Sequence, residues 1–435
     1  STGAGSEKQE KINPQFLQYR KRITEIMTEK LKGKNFPNVR FPYYTDEWKE
    51  HRLEDLGFFI GGGTPDTTNQ QFWTGKIPWI SSSDLSVDDI GRIFKTRFIN
   101  DDAIKSSATK LVPKGGILMV SRVGIGKFAV ADEDLCTSQD FTNLVTNQNA
   151  HFICYYFSAR AKDFIKLSQG TSIKGFTIQD IKSSVFPVPI LQEQENISSF
   201  LSVIDSRIRT QRKIIEDLTV LKNNVVKKLF ENELKFKNGD KDFQKWEKKR
   251  LTEISNEHLN KNQGNLYSEV FSVSKHKGVI NQIEHLGRSF SAKDIAHYKV
   301  VYPGDLVYTK SPTSEFPFGI IKQNRTGRTG VVSPLYCVFT PETFELGYLL
   351  HEYFNSPVNT YNYLNPLVQK GAKNTMNINN DTFLNGAKLL IPIDKIEQTS
   401  IYTTLSLLAD KIDVEKKILI KYENQKKYLL ANLFI

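Results

Sequence analysis

Trp48-Lys49-Glu50-His51-Arg52-Leu53-Glu54-Asp55-Leu56 returns 198 residues later as Trp246-Glu247-Lys248-Lys249-Arg250-Leu251-Thr252-Glu253-Ile254. A second pair of echoes lies downstream of each. Pro187-Val188-Pro189-Ile190 precedes Glu193-Gln194, and Ile391-Pro392-Ile393 precedes Glu397-Gln398, after which the offset between the copies is 204. Each copy therefore opens and closes in the same way. A period near 200 residues is far beyond that of solenoid repeats and marks a duplicated domain.

After each Glu-Gln pair the pattern changes to that of a long helix. In the first copy a 4,3 spacing picks out Ile197, Leu201, Ile204, Ile208, Ile215 and Leu218. In the second it picks out Ile401, Leu405, Leu408, Ile412 and Leu419. A seam repeating every 3.5 residues is what a coiled coil requires. The polar breaks in the seam match as well, Gln211 with Glu415 and Lys222 with Lys426, which points to two related helices pairing in a fixed register. No Pro or Gly interrupts Glu193 to Phe230, a span of about 57 Å if helical throughout.

Between the openings and the helices, short apolar runs such as Gly116 to Val120, Phe128 to Val130, Phe141 to Val145, Lys299 to Val301, Asp305 to Tyr308 and Tyr336 to Phe339 are bounded by turn residues. They predict an α+β fold: two β-rich α+β globules separated by two long helices that pair as a coiled coil, with an internal repeat. The expected boundaries are an arm at 1–40 with a short amphipathic helix from about Pro14 to Leu31, a globule at 41–190, a helix and linker at 191–240, a second globule at 241–390 and a second helix at 391–435.

Composition narrows the class. The 435 residues are 39% hydrophobic and 25% charged, with no apolar run long enough to span a membrane. Cys136, Cys154 and Cys337 lie far apart, which supports neither a disulfide framework nor a zinc site and predicts a reducing, cytoplasmic location. Lys and Arg outnumber Asp and Glu by 59 to 48, a net charge of +11 that favours a polyanionic partner.

Catalytic signatures are missing where they would have to stand. Asn13-Pro14-Gln15-Phe16 and Asn365-Pro366-Leu367 lack the tandem proline and tyrosine of an amino-methyltransferase loop. Gly126-Lys127 has Ser121 where a phosphate loop needs its first Gly. Gly124-Ile125-Gly126-Lys127-Phe128-Ala129 is followed by a strand-like run and not a helix, so it reads as a β-turn. The seven His show no metal-binding spacing.

Recognition chemistry remains: cations for phosphates, and hydrogen-bonding side chains for base edges. In the first globule the candidates are Lys76, Ser81, Ser82, Arg122, Lys127, Ser138, Gln139, Thr171, Ser172 and Lys174, with Trp79 expected in the core. In the second they are Ser274, Lys275, His276, Lys310, Ser311, Arg325, Arg328, Lys370, Lys373 and Asn374. Aligning Gly116 to Arg122 with Gly304 to Lys310 places Arg122 and Lys310 at the same strand end.

The two openings, Gly62-Gly63-Thr64-Pro65 with Ile77-Pro78-Trp79-Ile80-Ser81, and Ser121-Arg122-Val123-Gly124-Ile125-Gly126-Lys127 are the first carriers of a resemblance. Tyr298-Lys299-Val300-Val301 with Pro303-Gly304-Asp305, Val332-Ser333-Pro334-Leu335-Tyr336 and the paired helix starts complete the set. In this order and duplicated, they make the chain resemble, over essentially its whole length, the DNA-specificity subunit of type I restriction-modification systems. The resemblance implies that each globule is a target-recognition domain reading one half of a split, asymmetric site in double-stranded DNA. It implies that the two helices pair as an antiparallel coiled coil, giving a pseudo-two-fold internal repeat, and that they bind two copies of a methyltransferase subunit carrying S-adenosylmethionine, which methylates adenine. Restriction and motor subunits would join with ATP and Mg²⁺. No cofactor is then expected in this chain, and no catalysis. One departure stands out: Gly170-Thr171-Ser172-Ile173-Lys174-Gly175 has only Lys370-Gly371-Ala372-Lys373-Asn374-Thr375 opposite it. Two other classes stay open, a coiled-coil scaffold without base readout and a stand-alone DNA-modifying enzyme.

Overall fold

The computed structural model describes residues 35–162, 165, 178–275, 277–288, 294–370 and 376–435. The expected helix from Pro14 to Leu31 lies outside them. The fold is mixed helix and sheet, as expected, and divides into two compact units: residues up to Arg212 together with Lys417–Ile435, and Lys213–Lys416.

In the first unit, β1 (Lys49–Arg52) follows the opening Trp48 and pairs antiparallel with β6 (Val185–Val188), setting Lys49 opposite Val188. The two ends of the sequence repeat thus meet in one short stem. Between them, β2 (Gly57–Gly61), β3 (Ile117–Met119), β4 (Phe128–Val130) and β5 (Thr142–Thr146) form a four-stranded sheet in the order β2-β5-β3-β4. Helix α1 (Ala150–Ala159) lays Phe152, Ile153, Tyr156 and Phe157 on Ile117, Phe128, Val130 and Leu144. Burial of this many large apolar side chains, each worth about 1.5–3 kcal/mol, makes it the main core of the unit. A second sheet joins Phe98–Ile99, Ile77–Ile80, Leu135–Thr137 and Leu111–Val112. Trp79 sits in its core, as expected, with its indole N–H donated to the Gly63 carbonyl at 2.9 Å.

Helix α2 (Leu191–Phe230) begins directly after β6. Within the first unit its residues Ile197, Leu201, Ile204 and Ile208 share a core with Leu429, Leu433 and Phe434 of the C-terminal segment.

The second unit repeats the plan. Its stem is β7 (Glu247–Lys249) with β14 (Leu389–Ile391). Its sheet comprises β8 (Ser255–Glu257), β11 (Leu306–Thr309), β12 (Ile320–Gln323) and β13 (Cys337–Pro341), in the order β8-β13-β11-β12. That is the same order of equivalent strands as in the first unit. Helix α3 (Phe344–Asn355) covers it through Leu346, Leu350 and Phe354. A hairpin of β9 (Phe271–Ser274) and β10 (Gly278–Asn281) and a ladder of Lys299–Val301 with Gly330–Val332 are added. The segment read as a linker contains a two-rung hairpin, Lys237–Asn238 with Lys241–Asp242, because Asn238-Gly239-Asp240 is turn chemistry and Gly239 takes φ 62°.

Helix α4 (Lys395–Asn432) supplies the second seam. In the second unit Ile401 and Leu405 pack with Val226 and Leu229 of α2. In the first, Arg212 pairs with Glu423 at 2.7 Å and Asp205 with Lys426 at 2.5 Å, so rising numbers in α2 meet falling numbers in α4. Each unit on its own therefore contains an antiparallel helix pair. Ile197, Leu201, Ile204, Ile208, Ile401, Leu405 and Ile412 are buried, whereas Ile215, Leu218, Leu408 and Leu419 are half-buried.

The repeated Trp and Glu-Gln are the pins that fix each helix to its globule. Trp48 donates its indole N–H to Glu193 at 3.4 Å, and Trp246 to Glu397 at 3.0 Å. Gln194 donates to the Pro189 carbonyl and accepts from the backbone N–H of Asn149, the cap of α1. Gln398 likewise donates to the Pro392 carbonyl and accepts from the hydroxyl of Thr343, the cap of α3. One difference breaks the symmetry: Arg40 makes a two-pronged pair with Glu193 at 2.7 and 2.8 Å, while Glu397 Oε2 has no hydrogen-bond partner among the described residues.

Candidate nucleic-acid interface

In the first unit, four loops converge at one end of the sheet. The Gly62-Gly63-Thr64-Pro65 loop lies on residues 137–139. A Cβ on Gly62 would sit 1.9 Å from the Ser138 carbonyl oxygen, so only glycine fits, and Gly63 donates its N–H to the Thr137 carbonyl at 2.8 Å. The Thr64 hydroxyl bonds the Gln139 side-chain oxygen. The stretch Ser121 to Lys127 is a turn, as its sequence predicts, with Gly124 and Gly126 at φ 91° and 92°. Its first residues Ser121 and Arg122 donate N–H to the Asp140 carbonyl, and Lys127 Nζ donates to the Ser82 carbonyl at 2.8 Å.

Ser81, Ser82, Arg122, Lys127, Ser138 and Gln139 are thus brought together, but with different freedom. Ser81 caps a short 3₁₀ turn and is held by Asp84 and Arg97. Ser138 is buried, its backbone N–H bonded to the Ile80 carbonyl. Arg122 is exposed, and its guanidinium has no ion pair among the described residues. Lys76 is exposed, on the loop before Ile77. Thr171, Ser172 and Lys174 lie outside the described residues. Sequence reasoning missed Arg97, whose guanidinium stacks over Trp79 at 4.6 Å and pairs with Asp84; the signal was Ser81-Ser82-Ser83-Asp84, a capping pattern that calls for a cation.

In the second unit, Lys310 follows β11 directly and stands on a cleft of about 420 Å³ walled by Tyr308, Pro312, Thr313, Pro317, Phe318 and Ile378. Burial draws its ammonium below the ordinary lysine range. Ser311 is exposed beside it. The β9–β10 hairpin reaches this loop through Lys275, paired with Glu315 at 2.5 Å, and Ser274 accepts from the Lys277 N–H within the same hairpin turn. Arg325 lines a cavity together with Lys275, and Arg328 is placed elsewhere. The Arg325 guanidinium lies 4.7 Å from the Tyr348 ring centre. Arg328 is neutralised by Glu269 at 3.2 Å and Glu284 at 3.3 Å. Lys370 lies in a two-rung ladder with Met376, and His276, Lys373 and Asn374 lie outside the described residues.

Both units therefore present a cation just past the same strand of the same sheet, Arg122 after β3 and Lys310 after β11. Such a pair can hold two phosphates or two guanine edges, one per unit.

Residues 45–220 match the family model described as the type I restriction modification DNA specificity domain. Among curated proteins, the chain is 32% identical over 225 residues to the MjaIX specificity subunit of Methanocaldococcus jannaschii, covering 48% of this chain and 51% of that protein. It is 26% identical over 219 residues to the EcoR124I/EcoR124II specificity subunit of Escherichia coli, covering 46% and 53%. The chain thus spans about half the length of the curated relatives it matches. Among solved structures, the S subunit of a type I restriction-modification system from M. genitalium superposes with a TM-score of 0.58 at 16% identity, covering 92% of this chain and 99% of that one, which shows a shared fold. The match to the type I restriction modification DNA specificity domain thus lies across the first stem, its sheet and most of α2, and the second unit repeats that plan.

Proposed function

We propose that this chain is the non-catalytic, sequence-reading subunit of a type I DNA adenine methyltransferase or restriction complex, each unit reading one half of a bipartite, asymmetric site in double-stranded DNA. The observation that carries the reading is the repeated sheet with Arg122 and Lys310 at matching strand ends, in a chain of net charge +11. A scaffold that never meets DNA has no need of it.

Two copies of the methyltransferase subunit dock on repeat-equivalent helix faces. Support comes from Val203 and Leu407, which are 204 apart, 51% and 63% exposed, and followed one turn later by the exposed Arg207 and Lys411. S-adenosylmethionine, ATP and Mg²⁺ belong to partner subunits on this reading. No helix among the described residues is long and apolar enough to cross a membrane, and a cytoplasmic site of action fits a DNA target.

Co-expression of the chain with its methyltransferase, followed by mapping of methylated adenines, tests the proposal. The expected result is one split motif, absent without this chain, and weak, steeply salt-dependent DNA binding by the isolated chain. Methylation by the chain alone with S-adenosylmethionine favours the stand-alone enzyme, and methylation independent of the chain refutes the reading.

A further inference from the structure

Because α2 and α4 are copies offset by 204, the same position can be compared in both units. Lys222 of α2 corresponds to Lys426 of α4, Asp205 to Ala409, and Arg209 to Asp413. In the first unit the charges at this position are matched. Lys426 is held by Asp205 at 2.5 Å and by the Asp88 carbonyl, and Arg209 by Asp89 at 2.9 and 3.0 Å.

In the second unit Lys222 finds Glu352 of α3 at 2.6 Å, but where the first unit has the Asp205 carboxylate the second has only the methyl group of Ala409. A cavity of about 300 Å³ opens there. Six cations line it, Lys222, Lys275, Lys277, Lys322, Arg325 and Lys416, against the two carboxylates of Glu352 and Asp413. Glu315 pairs with Lys275 from outside, so positive charge exceeds negative by three. Lys322 is the sharpest member. It is 3% exposed and hydrogen-bonded to the Asn355 side-chain oxygen, with no carboxylate in contact among the described residues. A buried ammonium whose neighbouring carboxylate, Glu352, is already paired with Lys222 is costly unless something anionic completes it.

We propose that this cavity is a binding site for a small free phosphate anion of pyrophosphate size, which occupies the space left beside Ala409 and balances the positive charge that Glu352 and Asp413 leave over. The volume is at the lower end for small-molecule sites, roughly 300–1,000 Å³. Thr219, Asn223 and Asn355 add hydrogen-bonding groups, which suits a hydrated polyanion better than a ring. Bound there, it ties α2 and α4 to α3 and stabilises the second unit.

The test is calorimetric titration of the full chain with sodium pyrophosphate, and thermal unfolding at constant ionic strength set with chloride. Saturable one-to-one binding and a raised unfolding temperature are expected. Ala409→Asp, which restores the arrangement of the first unit, should weaken binding about tenfold or more, equivalent to about 1.4 kcal/mol. Lys277→Glu, at an exposed position where folding is not at stake, should also weaken it, by roughly threefold or more on the scale of a single partly screened charge. Absence of saturable binding, or binding unchanged in both variants, overturns the proposal. Full displacement of pyrophosphate by duplex DNA, with Ala409→Asp weakening DNA binding by the same factor, assigns the site to backbone phosphate and overturns the free ligand.

Discussion

Glu193 and Glu397 occupy the same place in two copies of one motif, yet their surroundings give them opposite energetics. Glu193 is buried against Arg40 and Trp48, so Glu193→Gln strands the guanidinium and should lower stability by about 3–5 kcal/mol. Among the described residues the Glu397 carboxylate keeps only the Trp246 indole, and burial raises its carboxyl pKa. A folded carboxyl with a raised pKa keeps a proton that the unfolded chain has released, so its contribution falls as pH rises above the ordinary carboxylate range. Glu397→Gln should therefore leave stability at pH 7 unchanged or improved, and denaturant unfolding of the two variants in parallel checks the contrast. Lys322 offers a second case, since burial lowers its pKa from 10.5 to about 8. Between those values the unfolded chain binds more protons than the folded one, so stability is regained as pH rises from about 8 to 10.5 and the penalty is fully present below 8. Lys322→Met should raise stability at pH 7 by on the order of 1–3 kcal/mol, and the gain should vanish above pH 10.5. At the candidate interface, Arg122→Ala and Lys310→Ala should each cost about 1–3 kcal/mol of DNA affinity if they meet a base edge, or lower the salt slope by about 1 if they meet phosphate. Binding measured across a salt series separates the two.

At the scale of elements, α2 and α4 were legible because a 3.5-residue pattern over 40 residues has few alternative explanations, and both helices form within two residues of where the pattern begins. Their seam was legible only in part. Ile204 is 2% exposed, while Leu408 is half-buried. Ile204→Asp should therefore cost several kcal/mol, about 3–5 by analogy with other buried unpaired charges, and Leu408→Asp distinctly less; thermal unfolding ranks them. The polar breaks Lys222 and Lys426 were visible as a matching pair, but their jobs were not. Each pins a helix through an acid distant in sequence, Glu352 for one and Asp205 for the other. Spacing along one helix carries no information about a carboxylate 130 residues away. The loops show the same limit. Arg325 and Arg328 are close neighbours in sequence, yet one lies on Tyr348 and the other between two glutamates. Residue type alone could not tell them apart, whereas tertiary pairing gives each a different set of partners.

At the scale of the whole molecule, the duplicated plan predicts modular behaviour. On the proposed function, replacing residues 41–190 by the equivalent stretch of a similar specificity subunit should change one half of the methylated motif and leave the other half intact, and adenine-methylation mapping reads the outcome directly. Changes in both halves would mean that the units do not read separately. The stem that makes such a replacement conceivable also has a mechanical character. In β1 and β6 the chain enters at Lys49 and leaves at Val188, which face each other across the same rung. Tension along the polypeptide therefore loads that stem as a zipper, one pair of backbone hydrogen bonds at a time, and never as a row sheared together. Each globule is a loop closed by its weakest possible fastening under pull, held shut in practice by the Trp and Glu-Gln pins beside it. Force applied between the two chain ends of the globule would open the stem before the four-stranded sheet behind it felt any strain.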